Sequence, residues 1–284
     1  MRAAAWAVSR LPWAWLAPLG ALLGFLAGSL VRIRRRHVEA SLGAAGLGPA
    51  ARIARGMYAS LGAGVFELLW LAGRPPEALG ERFTMTPACA EALREATAQG
   101  RGVVVATAHT GNWDLTACAT ARWMGREIAS APRLTVVTKR LSWRALDRYW
   151  QRLRAERGVV LVDALGAAGA VRAALGAGGV VGLLVDQAPE RERGVVRLPF
   201  MGRAARHDLA PVLLAARAKA PILVLLGRRA ADGRHVLEVA ERIAPAELRG
   251  KRAIERATGR IAAAVEGFVR AQPEQWLWLH RRWK

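Results

Sequence analysis

The stretch Gly102 to Asp114 reads GVVVATAHTGNWD, and how it folds decides the architecture of the chain. Its first six residues form a short, uncharged run rich in valine, the pattern of a strand buried on both faces. The run passes directly into the polar cluster His109, Thr110, Gly111, Asn112, Trp113, Asp114. Similar short runs recur at Leu134–Thr138, Val159–Val162, Val180–Val185, Ile222–Leu226 and His235–Val239. Between them lie stretches of helical character: near Pro87–Gln99, after Asp114, at Ser142–Arg157, and around Ala167–Leu175 and Asp208–Ala218. A last helix extends to about Arg270. Buried strands alternating with amphipathic helices predict an α/β domain whose mostly parallel sheet is flanked by helices on both faces.

Upstream, Pro49–Leu71 places Ile53, Met57, Leu61, Val65, Leu68 and Leu69 on one helical face. Glu67 lies close to that face and is expected to be a helix carboxylate paired with an arginine. Gly73, Arg74, Pro75 and Pro76 end the helix.

Leu11 to Val31 carries no ionisable side chain and nearly matches the thickness of a bilayer's hydrocarbon core. Trp6, Trp13 and Trp15 mark one end as an aromatic belt; Arg32, Arg34, Arg35 and Arg36 mark the other as a positive-inside flank. The arginine block argues against a cleaved leader. Pro12, Pro18, Gly20, Gly24 and Gly28 weaken a straight spanning helix, so a spanning helix and one lying in the interface both fit. The expected division is a membrane anchor with its basic flank at residues 1–36 and a catalytic domain at 37–284. The charge bias puts that domain on the cytoplasmic face.

With 284 residues the chain can bury a core without disulfides. Cys89 and Cys118 have neither a metal-ligand spacing nor a disulfide framework, and His37, His109, His207, His235 and His280 are scattered, so no metal site is expected. Gly176 to Gly182 is glycine-rich but reads as a turn entering a strand, and no nucleotide-binding glycine pattern appears. The net charge of +21 calls for an acidic partner: nucleic acid, anionic lipid or an acidic carrier protein. Part of it also fits a codon bias toward Arg, Ala and Gly. No aromatic-basic RNA motif is visible, and a basic binding protein would leave the polar cluster at the strand end unexplained.

That cluster sits where α/β folds place ligand sites, at the carboxyl end of a strand. A tight Gly-Asn turn lets Asp114 curl back toward His109, fix its tautomer and leave the other ring nitrogen to accept a hydroxyl proton. On spacing alone, a structural pair at a helix start is the alternative. No Gly-x-Ser-x-Gly elbow supplies a nucleophile for hydrolysis.

The string His109 to Asp114 resembles the HX4D signature of the glycerolipid acyltransferase superfamily. Its HTGNWD wording is similar to the branch that acylates bacterial lipid A precursors; the phosphatidylinositol mannoside acyltransferases use similar wording. Four other blocks resemble that branch: Arg32 to Leu42; Thr138, Lys139, Arg140 with Arg154 to Gly158; Asp186, Gln187 with Leu198 to Gly202; and Pro273 to Arg282. Met201 stands where relatives carry a second Phe, and Arg206, His207, Asp208 where they carry a small polar residue. The resemblance implies O-acyl transfer from acyl carrier protein or acyl-coenzyme A to a hydroxyl of a membrane glycolipid at the bacterial inner membrane. It implies no cofactor and no nucleic acid partner.

His109 and Asp114 are the catalytic candidates. Asn112, Lys139, Arg140, Arg154, Arg157, Asp186 and Gln187 are candidates for substrate binding. Arg140, with Lys139, follows a strand on the same sheet edge as His109 and is a candidate for holding phosphate, an exposed basic residue being the alternative. For Arg154 and Arg157 the alternative is a helix C-terminal interaction. Asp186 and Gln187 end a strand at that edge, to orient an acceptor or a neighbouring arginine. Trp276, Trp278 and Trp283, with Arg281, Arg282 and Lys284, are expected either at the membrane interface or, for the first two, packed on the sheet.

Overall fold

The computed structural model describes residues 1–140 and 142–283; Lys284 lies outside them. The helices are α1 (Arg2–Ser9), α2 (Leu16–Phe25), α3 (Arg35–Ala44), α4 (Ala50–Ala72), α5 (Pro87–Ala98), α6 (Trp113–Glu127), α7 (Arg144–Glu156), α8 (Ala167–Gly176), α9 (Ala210–Ala218) and α10 (Lys251–Ala271). The strands are β1 (Phe83–Met85), β2 (Val103–Thr107), β3 (Leu134–Thr138), β4 (Val159–Asp163), β5 (Val180–Leu184), β6 (Val195–Phe200), β7 (Arg203–Asp208), β8 (Ile222–Arg229) and β9 (His235–Ile243). Seven strands form one sheet in the order β1-β9-β8-β2-β5-β3-β4, while β6 and β7 form a separate hairpin. Among the described residues, the β8–β9 pairing alone in the large sheet is antiparallel.

The alternation of side chains along β2 explains the two layers of core. Val104 and Ala106 face one cluster with Val171 and Leu175 of α8, Val212 of α9 and Val265 of α10. Val103 and Val105 face the other, with Leu93 of α5, Leu115 and Cys118 of α6 and Leu153 of α7. A strand buried on both faces can be apolar along its length, as β2 is from Val103 to Ala106.

Residues Trp13–Leu30 form a helix long and apolar enough to cross a membrane. The glycines that weakened this helix on paper have a packing purpose. A Cβ at Gly20 would stand 2.1 Å from the backbone nitrogen of Ala63, and one at Gly24 would stand 2.4 Å from the Tyr58 carbonyl oxygen. Gly62 on α4 is equally closed, 2.1 Å from the Gly20 carbonyl oxygen. Small residues one turn apart let the two backbones touch, as in close helix pairs of membrane proteins. On the opposite side Trp15, Leu22, Leu23, Phe25, Leu26 and Leu30 are exposed. Trp13 and Trp70 stack edge-on at 5.0 Å, and the Trp13 indole donates to the Gly233 carbonyl, tying the apolar helix to the β8–β9 turn.

Candidate active site

The chain leaving β2 enters α6, which packs on one face of the sheet; the chain leaving the adjacent β5 passes through β6 and β7 into α9, on the other face. Two neighbouring parallel strands whose connections diverge leave a crevice at their carboxyl ends. The register pairs Thr107 with Leu184, so two residues further along each strand His109 and Asp186 come level with each other.

Asp186 is buried and accepts three hydrogen bonds. Its Oδ1 lies 2.9 Å from His109 Nδ1; its Oδ2 accepts from the His109 backbone N–H at 3.1 Å and from the Trp276 indole N–H at 2.8 Å. Because the carboxylate can only accept, Nδ1 carries the proton and Nε2 keeps a lone pair. The Gln187 amide nitrogen lies 3.5 Å from Nε2, at the outer limit of a hydrogen bond. The His109 side chain keeps 14% of its surface exposed and packs edge-on against Trp113 at 5.0 Å. Burial favours the neutral ring, but the charge and hydrogen bond of Asp186 outweigh it, helped by Asp114, and His109 titrates above the usual histidine value. Burial likewise pushes Asp186 up, and is outweighed by His109, the backbone N–H and Trp276, which hold it below the usual aspartate value.

Asp114 therefore does not brace His109 as the spacing led us to expect. It is the second residue of α6, and its Oδ1 accepts from Arg154 Nε at 2.8 Å and lies 2.7 Å from Arg154 Nη2. Once the helix starts at Trp113, the carboxylate faces α7, and the Arg154 guanidinium holds its Oδ1 there by a charge-assisted hydrogen bond. Its charge still reaches the imidazole through space.

Asn112, a candidate for substrate contact, is buried and occupied within the protein. Its side-chain oxygen caps α6 by accepting from the Leu115 N–H at 3.1 Å, and its amide donates to Glu67 Oε2 at 2.9 Å. Glu67 has the arginine partner expected of it, Arg229 at 2.7 and 2.9 Å, and also His235 Nε2 at 3.0 Å. Burial raises the Glu67 carboxyl; His235 and Arg229 overcome it and hold it well below the usual range. The HTGN loop is thus pinned to α4 from below. Gly111 has φ +55°, and a Cβ there would stand 2.9 Å from the Gly227 carbonyl oxygen, so this turn requires glycine.

The remaining candidates scatter. Arg140 is exposed and paired with Asp163 at 2.8 Å; Lys139 lies 3.8 Å from Glu190. Both stand at the carboxyl edge of the sheet, with β5 intervening between β3 and the His109 strand. Arg154 belongs to Asp114. Arg157 donates to the carbonyls of Leu71 and Arg74 at 2.6 Å each, so it caps the end of α4 rather than its own helix. Asp186 and Gln187 are the two that reach the imidazole.

What sequence reasoning missed is the C-terminal clamp. Gly111 N–H donates to the Gln275 carbonyl at 2.8 Å, Leu277 N–H donates to the His109 carbonyl at 3.1 Å, and Thr110 bridges to Trp276. Trp276 and Trp278 are buried against Phe200 and the sheet, which decides between the two placements left open for them. The signal was the density of aromatic and amide residues in Gln275 to Trp278, which no spacing rule connects to Asp186.

Beside Asp186 lies a cavity of about 20 Å³, lined by Val185, Phe200, His207, Ile261, Val265 and others, room for about one water molecule. Burial, and then the charge of Arg282, which faces this cavity, push His207 down to about 3. Among the described residues, no group of three or more His, Cys, Asp or Glu side chains is arranged to hold a metal ion.

Comparison with known proteins gives one family. The family model described as bacterial lipid A biosynthesis acyltransferase matches residues 1–284. No curated protein matches the chain.

Proposed function

The chain belongs to the bacterial lipid A biosynthesis acyltransferase family, and from that premise we propose that it transfers a fatty acyl group from an acyl carrier protein or coenzyme A thioester to a hydroxyl of a lipid A precursor, late in its acylation. One observation carries the chemistry: the hydrogen bond from His109 Nδ1 to a buried Asp186, which leaves Nε2 as the free base. The acceptor hydroxyl gives its proton to Nε2 as its oxygen attacks the thioester carbonyl carbon. The imidazolium so formed is stabilised by Asp186. The tetrahedral intermediate then expels the thiolate, which takes the proton back from Nε2. An ester is formed, a thioester is broken, and His109 returns to its starting state, so the sequence needs neither a cofactor nor a metal.

The exposed apolar face of Trp13–Leu30 supports an anchor in the bilayer, and the arginines that follow it support the cytoplasmic side. Two further exposed apolar side chains, Trp143 and Leu165, lie in the loops after β3 and β4, on the sheet edge that carries His109. They add exposed apolar surface to the carboxyl edge of the sheet. In this reading Asp114 and Arg154 hold the start of α6, and the Asp114 charge tunes the base.

The test is thioester consumption by the purified full chain in detergent–lipid micelles, with and without a glycolipid acceptor. Turnover is expected only with the acceptor, and His109→Ala should abolish it while the circular dichroism spectrum is unchanged. Full activity in that variant would remove the base assignment. Mass spectrometry of total lipids from cells with and without the protein identifies the acceptor by one missing acyl chain.

A further inference from the structure

The turn joining the apolar helix to α3 forms a second concave site outside the crevice. Arg32, Arg34, Arg35, Arg36 and His37 line an open hollow of about 360 Å³. Three of these arginines are exposed, whereas the Arg35 side chain is nine-tenths buried. Arg35 donates through Nε to Glu39 at 2.6 Å and through Nη2 to the Ala51 carbonyl at 2.9 Å, but its Nη1 is buried without a hydrogen-bond partner. A buried guanidinium nitrogen left unpaired beside a basic hollow is costly unless an anion completes it. Independently, α3 begins at this hollow with no side-chain cap and no acidic residue in its first turn; its first amide, Arg35 N–H, donates to the Arg32 carbonyl at 3.1 Å, and the next amides, of Arg36 and His37, and the positive end of the dipole face an anion.

The surroundings select the kind of anion. Leu30, Val31 and Ile33, directly before and within the turn, are exposed apolar residues. The hollow therefore sits where an apolar surface ends and a headgroup layer would begin. It is also linked to the crevice. Arg34 donates to the Leu279 carbonyl at 2.8 Å, and His37 Nε2 lies 3.1 Å from the His280 carbonyl. Leu277, only three residues earlier, is hydrogen-bonded to the His109 backbone. The chain between those contacts, Leu277 to His280, spans about 11 Å at most.

We propose that the Arg32–His37 hollow binds a phosphate on the headgroup of the lipid acceptor and so positions the acceptor hydroxyl at His109. The role is positioning: none of these side chains touches the reacting atoms. The site rests on the acyl-transfer reading for its purpose, but its binding is measurable without chemistry.

The probe is a phosphorylated diglucosamine lipid in phosphatidylcholine vesicles, compared with the same lipid after phosphatase treatment. In flotation assays the full chain carrying His109→Ala should bind the phosphorylated vesicles at least about tenfold more tightly, the scale of one charge-assisted hydrogen bond. Arg32→Ala/Arg36→Ala should erase that preference, and Arg32→Lys/Arg36→Lys should restore part of it. The charge-matched surface control Arg252→Ala/Arg256→Ala should keep it. In turnover, Arg32→Ala/Arg36→Ala should raise KM for the phosphorylated acceptor by about tenfold or more, leaving KM for the acyl donor and turnover of the dephosphorylated acceptor unchanged. A preference that survives the double alanine variant, an equal loss in the control, or a rise in donor KM alone would overturn the proposal. So would displacement by inorganic phosphate at the concentration of the lipid, which would make the hollow a site for free anions. Vesicle binding without any turnover would leave this site standing and sink the acyl-transfer reading; turnover indifferent to phosphatase treatment would do the reverse.

Discussion

Replacing Asp186 by Asn changes one atom, and the geometry dictates which way the new amide must turn. Oδ2 accepts two N–H donors, from the His109 backbone and from Trp276. The amide oxygen must occupy that position, because an NH2 group there would face two donors. The NH2 group is then left at the Oδ1 position, 2.9 Å from His109 Nδ1, where it donates. Nδ1 becomes the acceptor, the proton moves to Nε2, and the base is lost with the fold intact. The same carboxylate-to-amide change in a serine protease triad lowers kcat by about 10⁴, or about 5.5 kcal/mol, and a loss of that order is expected here. Replacing the charged acceptor by a neutral one costs about 1.5–3 kcal/mol of stability besides. In the wild type, kcat/KM should rise with pH through a limb above 6.5, because Asp186 raises the His109 pKa. The linkage has a matching sign: the protonated His109–Asp186 pair stabilises the fold below the unfolded histidine pKa, and that contribution fades as pH rises through the folded one. The assay is thioester turnover across pH for Asp186→Asn and Asp114→Asn side by side. Asp114→Asn removes only a through-space charge from the imidazole, so it should retain the base limb and lose at most about tenfold in rate for each pKa unit of basicity lost. A mild Asp186→Asn together with a limb that vanishes in Asp114→Asn would refute the reasoning.

Three other substitutions test the scaffold. Gly62→Val puts a side chain where the Gly20 carbonyl oxygen lies 2.1 Å away, and backbone cannot step aside cheaply; a loss of about 1–3 kcal/mol or more should appear as a lower midpoint of thermal unfolding in detergent. Glu67→Gln leaves the largely buried Arg229 with no counter-charge and should cost about 3–5 kcal/mol in urea unfolding. The Glu67 carboxyl is held below its unfolded pKa, so the stability it contributes is present above that pKa and drains away as pH falls through the folded value; the deficit of the variant should shrink on acidification. Leu22→Asp/Leu26→Asp places charge on the exposed face of the apolar helix and should move the protein from the membrane fraction to the soluble fraction. Unchanged fractionation would mean that this face does not meet lipid.

Much of the scaffold was legible before any coordinates, because local rules specify it. The strand at Val103–Thr107 and the helices near Pro87–Gln99 and Ala167–Leu175 were readable within a residue or two. Valine runs and helical spacing act over a few residues and survive whatever the rest of the chain does. The short strand β1 and the β6–β7 hairpin were not foreseen. β1 has three residues and exists by pairing with β9, and β6 and β7 owe their form to each other. The HTGNWD block announced that His109 matters, since its residue types stand at a strand end in any α/β arrangement.

The sequence by itself determined an α/β chain with an apolar N-terminal helix and a histidine at the mouth of the sheet. Only the tertiary structure decided which carboxylate serves that histidine. Asp114 is five residues away along the chain and Asp186 is seventy-seven, yet the nearer one is turned toward Arg154 by the helix it begins. Pairing of β2 with β5 brings the distant one level with the ring, and a tryptophan ninety residues beyond Asp186 holds it there. Strand order is a property of the whole packed sheet, so no local pattern around His109 could have named its partner.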